Sequence, residues 1–111
     1  MLQEITDFHD EGAELRGLLG TLSEEDFQRP TLFKDWTVND VILHLHCSDI
    51  SAAASVRDPA EYEALRQQII EARKSGLSMI AESRQRFPEL KGKALVARWW
   101  EQLETLCDLL A

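Results

Sequence analysis

The chain has 111 residues, 44% of them hydrophobic, with 20 acidic against 12 basic side chains and a net charge of −8. This suits a single domain over residues 1–111, and the acidic balance speaks against nucleic acid and anionic membranes as partners, whose phosphates it would repel. No apolar run approaches the roughly 20 residues of a bilayer span, Met1-Leu2-Gln3-Glu4 shows no secretory signal, and Cys47 and Cys107 are too few for a disulfide framework, so a cytoplasmic, reduced protein is expected.

The pattern is helical throughout. Leu2, Ile5, Phe8, Leu15, Leu18, Leu19 and Leu22 recur at helical spacing and predict a first helix over about residues 2–20. Gly12 falls on the same stripe, where a neighbouring helix can come close. Ser23 with Asp26 starts a single turn that Arg29-Pro30-Thr31 ends. The second helix opens at Thr37, with Asp40 as capping-box partner and Trp36 and Val41 as a hydrophobic staple. Its apolar face is read as Val38, Val41, Ile42, Leu45, Ala52, Ala53 and Val56. Asp58-Pro59-Ala60-Glu61 restarts the helix, with Asp58 as N-cap and Pro59 at the first helical position. A third helix then runs through Tyr62, Leu65, Ile69, Ala72, Gly76, Ile80 and Phe87 to Pro88. After Lys91-Gly92-Lys93 a fourth carries Val96, Trp99, Trp100, Leu103, Leu106, Cys107 and Leu110. Four amphipathic helices with short connectors predict an all-α antiparallel bundle.

Candidate chemistry centres on His44. His44 and His46 are separated by about 200° around a helix, so one metal ion cannot take both. His44 borders the Val41–Leu45 stripe, while His46 is placed towards the surface or a helix edge, and His9 is read as solvated. The one intramolecular pairing to weigh is His44 with His9, with Glu11, Glu104 or Asp108 as a third ligand. Divalent sites want three or four such ligands, and neither HxxxH nor CxxC spacing occurs. A partly buried, hydrogen-bonded His44 is the plainer reading. Neither cysteine sits at a helix N-terminus or beside a basic residue, so both read as small core residues. Ser48, His44 and Asp49 lie on a single helix and do not converge as a triad. Of Trp99 and Trp100, only one can point fully inward, which leaves the other at the edge of the face.

Trp36-Thr37-Val38, Asp40, His44-Leu45 and Asp49 follow the pattern W-T-V-x-D-x-x-x-H-L-x-x-x-D. In this the chain resembles the DinB/YfiT-like superfamily, most closely the branch with the metal-binding domain of mycothiol-dependent maleylpyruvate isomerase. Arg29-Pro30-Thr31 and Arg57-Asp58-Pro59-Ala60-Glu61-Tyr62 fit that branch too. The likeness covers about residues 2–65 and weakens beyond, where Leu95, Trp99 or Trp100, and Leu103 match the family's third bundle helix. It implies a four-helix bundle holding a divalent metal, zinc or nickel, in thiol-dependent isomerases or transferases. The histidine of the H-L pair, His44 here, would be the first ligand. The family's other two ligands lie in an H/E-x-x-x-H segment on a following helix, which this chain does not contain. The expectation is therefore a shortened member, or one whose third helix replaces the missing one.

Two functions follow as expectations. One is a metal-binding relative of thiol-dependent enzymes, with an incomplete site at His44 and a small thiol or other small molecule as ligand. The other is a non-catalytic helical module that acts by binding a partner, most simply itself. A homodimer is expected because Trp99, Trp100, Leu103, Leu106 and Leu110 give the last helix more apolar surface than one buried stripe requires. Two His44 side chains brought together across a two-fold axis would offer a shared metal site.

Overall fold

The computed structural model describes residues 2–111. The helices are α1 (Gln3–Leu19), α2 (Val38–Arg57), α3 (Pro59–Lys74), α4 (Met79–Arg86) and α5 (Gly92–Leu110), with a 3-10 turn at Asp26–Gln28. The described residues thus form five helices where four were expected. The third predicted helix is divided at Ser75–Ser78. Gly76 takes φ +99°, its N–H donates to Arg73 O at 3.1 Å and the Leu77 N–H to Ala72 O at 3.1 Å. That pair of bonds is a Schellman ending, which glycine enters without the strain a Cβ would bring. Ser78 then caps α4, its Oγ accepting from Ala81 N at 3.2 Å.

The other boundaries agree with the sequence. At the start of α2, Thr37 Oγ1 accepts from Asp40 N and Asp40 Oδ2 from Thr37 N, both at 3.0 Å. Trp36 is buried and Val41 packs on the same core, and the Trp36 ring lies edge-on to Phe33 and His44. Asp58 caps α3 through Ala60 N. Ser23 and Asp26 exchange backbone-to-side-chain bonds around the short turn.

The core lies where α5 packs on α2 and on α1. Ile42, Leu43 and Cys47 of α2 share one core cluster with Leu95, Trp99, Leu103 and Cys107 of α5, and Phe27 is enclosed completely. On α2 the buried face is therefore rotated from the expected one: Leu43 and Cys47 are inside, while Val56 is exposed. Gly12 does admit a close neighbour, because a Cβ there would lie 2.6 Å from Leu103 Cδ1. Trp99 points inward and Trp100 lies half-buried at the edge, under the Arg16 guanidinium. The N-terminus of α5 is capped from a distance: Asn39 Oδ1 accepts from Gly92 N at 2.8 Å, and Glu24 Oε1 from Lys93 N at 3.2 Å. The outer helices α3 and α4 pack on α2 and on each other, whereas α1 scarcely meets α2. No described helix is long and apolar enough to cross a membrane.

Candidate functional site

His44 emerges from the middle of α2 on the side facing α3 and α4. It lines two adjoining clefts. The first, of about 290 Å³, lies among α2, α3 and α4 and includes Cys47, Ser51, Ile69, Arg73 and Glu82. The second, of about 550 Å³, lies where the loop Phe33–Trp36 meets the start of α4. Arg73 and Met79 belong to both linings, so His44, Arg73 and Met79 mark the seam between the two. The imidazole rests against the Trp36 ring, with centroids 5.5 Å apart.

The loop that walls the larger cleft is conformationally unusual. Lys34 and Asp35 have φ values of 50° and 61°, a left-handed conformation that non-glycine residues rarely adopt in succession. Thr31 holds it in place. Its N–H and hydroxyl both donate to Trp36 O, at 2.7 and 2.8 Å, and its Oγ1 accepts from Phe33 N at 3.2 Å. Such local strain persists only where neighbouring bonds over-determine it. Asp35 tolerates this conformation better than most residues. Nothing in the pattern Phe33-Lys34-Asp35-Trp36 marks Lys34 for it, and sequence reasoning missed the loop.

The charges around the clefts divide into paired and unpaired. Arg84 Nε donates to Asp40 Oδ1 at 2.9 Å. Burial alone would raise the Asp40 carboxyl, but the bonds from Arg84 and Thr37 outweigh it and hold the group below its ordinary range. Arg86 Nε lies 2.8 Å from the buried Glu82 carboxylate, a charge contact rather than an aligned hydrogen bond. Arg73 and Lys34 have no carboxylate partner among the described residues.

The other sequence-predicted residues go elsewhere. His46 is buried, not at the surface: it is 3% exposed, its ring lies 5.3 Å from that of Phe87, and its Nδ1 has no hydrogen-bond partner. The rotated face of α2 explains the correction, since residue 46 shares the side of Leu43 and Cys47. Burial, with Arg98 and Arg86 nearby, pushes its pKa down. His9 is half-exposed on α1, where it lines a separate cleft with Glu104, Cys107 and Asp108; its Nε2 lies 3.8 Å from Glu104 Oε2. His44 and His9 are thus in different clefts, and Glu104 and Asp108 join His9. Glu11 is exposed and lines neither. Both cysteines are buried, as expected, and burial raises both thiols. Asp49 is half-buried, and desolvation pushes its carboxyl up to about 6.

As a metal site the His44 surroundings are thin. Cys47 is buried and protonated, and Glu82 is engaged by Arg86. Among the described residues no group of three His, Cys, Asp or Glu side chains is placed to hold a metal ion. The donor set around His44 therefore does not fit a complete divalent site, and no chemical step is derived through one.

No curated protein and no solved structure matches the chain. The family model described as the mycothiol maleylpyruvate isomerase N-terminal domain matches residues 8–111. That match spans nearly the whole chain, including the capped α2 start and His44, and the chain belongs to the mycothiol maleylpyruvate isomerase N-terminal domain family.

Proposed function

We propose that the chain is a DinB-like, metal-binding relative of the thiol-dependent isomerases and transferases, in which His44 supplies one ligand of an incomplete divalent site. The supporting observation is the position of His44: its ring is steadied by Trp36 yet opens into both clefts between α2 and the outer helices. Further ligands would come from outside the described residues. A lone imidazole binds zinc or nickel weakly, because affinity grows with each ligand of a preformed set. Titration of the metal-free protein with zinc or nickel should show weak binding that His44→Ala removes. Tight stoichiometric binding that survives His44→Ala would overturn the assignment.

The second reading is self-association as a homodimer. The seam expected on the last helix is largely filled within the chain, since Trp99, Leu103 and Leu106 are buried and Trp100 is half-buried, so the support comes instead from α1 and α2. α1 scarcely meets α2, Phe8 and Leu18 of α1 are exposed, and Val41, Leu45 and Ala52 of α2 are only half-buried. A two-fold partner would cover such surface. Sedimentation equilibrium decides it: a mass of 12.7 kDa at micromolar concentration is the monomer and ends this reading.

A further inference from the structure

The larger of the two clefts holds an asymmetry that the metal reading leaves unused. The chain as a whole carries a charge of −8. Yet the lining of this cleft brings together Lys34, Arg73 and Arg84, with Asp35 as the one carboxylate. Arg84 is neutralised by Asp40. Lys34 and Arg73 are not, among the described residues, and both are exposed to solvent. The walls between them are apolar: Phe33 and Met79 are 54% and 43% exposed, and Trp36 closes the inner side. Exposed aromatic and thioether surface beside unpaired cations is the composition of a site for an organic anion, with a few polar groups fixing orientation in a mostly apolar pocket. The cleft wall is also preformed, since Thr31 holds the left-handed Lys34–Asp35 turn in one shape. A preformed wall spares a ligand the entropy of ordering it.

We infer that this cleft binds a small organic monoanion, its charged group held by Arg73 with help from Lys34 and its flat apolar body against Phe33, Trp36 and Met79. This deepens the reading of the His44 site, because His44 lines the same cleft, but it requires no metal. An arginine anchors a carboxylate or sulfonate through paired N–H donors, which a lysine does not reproduce. Arg73 is therefore the stronger determinant of the two.

The test uses the full chain with metal removed by chelation. Benzoate and benzenesulfonate are the probes, benzylamine is the cationic control and inorganic phosphate the control for charge alone. The readout is the indole N–H resonances of the three tryptophans, of which Trp36 lines the cleft; Trp36→Phe assigns that signal. Saturable shifts of the Trp36 signal by both organic anions at millimolar concentration, with neither control matching them, are expected. Arg73→Ala should weaken benzoate by about tenfold, a difference of about 1.4 kcal/mol, and Lys34→Ala by less. Both side chains are exposed and neither pairs with a carboxylate among the described residues, Lys34 lying only over the Phe33 ring at 5.5 Å, so an unchanged melting temperature certifies the fold. Because every titration is run without metal, saturable benzoate binding stands whether or not zinc or nickel binds at His44, which separates this inference from the metal reading. Benzylamine or phosphate binding as well as benzoate, no saturable shift, or an Arg73→Ala variant with undiminished affinity would overturn it.

Discussion

α5 and α3 are of similar length and both pack on α2, yet they are held by different forces. α5 buries seven of its nineteen residues, whereas none of the sixteen in α3 is buried. α5 is fixed by tertiary packing on α2 and α1. α3 depends on local devices: the Asp58 cap, the Schellman ending at Gly76, and surface pairs such as Arg57–Glu61 and Arg66–Glu63. Exposed pairs of that kind contribute only a few tenths of a kcal/mol each. The lesson is that the candidate cleft is built between a rigid helix and a marginal one. His44 stands on the rigid side and Arg73 on the marginal side. Low local stability is the usual condition of elements that admit ligands.

Truncation in the two helices should break or establish this contrast most sharply. Leu103→Ala, at a position 1% exposed, should cost about 3 kcal/mol or more in unfolding free energy. The half-buried Ile69→Ala on α3 should cost less than about 1 kcal/mol. Denaturant melts of the two variants check this, and equal losses would erase the distinction.

The two left-handed glycines sharpen it next. At Gly92, φ is +60° and a Cβ would lie 1.7 Å from Glu24 Oε2; at Gly76, φ is +99° with nothing near. Gly76→Ala should carry the backbone penalty alone, about 1 kcal/mol, and Gly92→Ala the same penalty plus the loss of the bond from Lys93 N to Glu24, whose carboxylate the new Cβ would displace. Thermal melts should rank them in that order.

Helix caps come third. Thr37→Ala should lower global stability by about 1 kcal/mol, since α2 belongs to the core. Asp58→Ala removes a similar bond but should be felt within α3, as faster amide exchange there with little change in the global transition.

The smallest effect is a pH dependence. The folded Asp49 carboxyl titrates at about 6, above its ordinary 3.8, so the folded state binds this proton more tightly than the unfolded chain does. Its charge therefore opposes folding as the pH rises through that window. Asp49→Asn should be more stable than the parent near pH 8, with the gain fading towards about pH 4. His46 has the opposite sign: its folded pKa lies below 6.5, so stability is lost as the pH falls beneath that value. Chemical denaturation across pH should show the parent losing less stability on acidification than Asp49→Asn does.

Much of this architecture was legible because its signals are local. The Thr37–Asp40 box, Asp58-Pro59, the Ser23–Asp26 turn and the Gly12 contact all follow from residues a few positions apart or from a missing Cβ. The division of α3 from α4 was equally local, in Gly76 followed by Ser78, but the apolar stripe from Ile69 to Ile80 and Phe87 runs in phase across it. The face of α2 was harder. Val38, Val41, Leu45 and Val56 outweigh Leu43, His46 and Cys47 on any hydropathy count, and only packing on α5 chooses between the two stripes. That choice placed His46 inside. At the site, His44 stood out through its motif. Arg73 and Lys34 did not, because what distinguishes them is the lack of a partner, a property of the fold rather than of spacing.

The first turn of α5 is closed by atoms remote in the chain, Asn39 at a separation of 53 residues and Glu24 at 69. Its own N-cap, Lys91, offers no side-chain bond. The helix with the largest share of the core therefore cannot complete its beginning until the connector and the start of α2 have docked. Closing such long loops early is entropically expensive and slows the rate-limiting step. In kinetic terms α5 should elongate from its apolar middle, around Trp99 and Leu103, with its N-terminal turn among the last to form. An isolated α5 peptide would then fray from Gly92, however strongly its centre favours the helix.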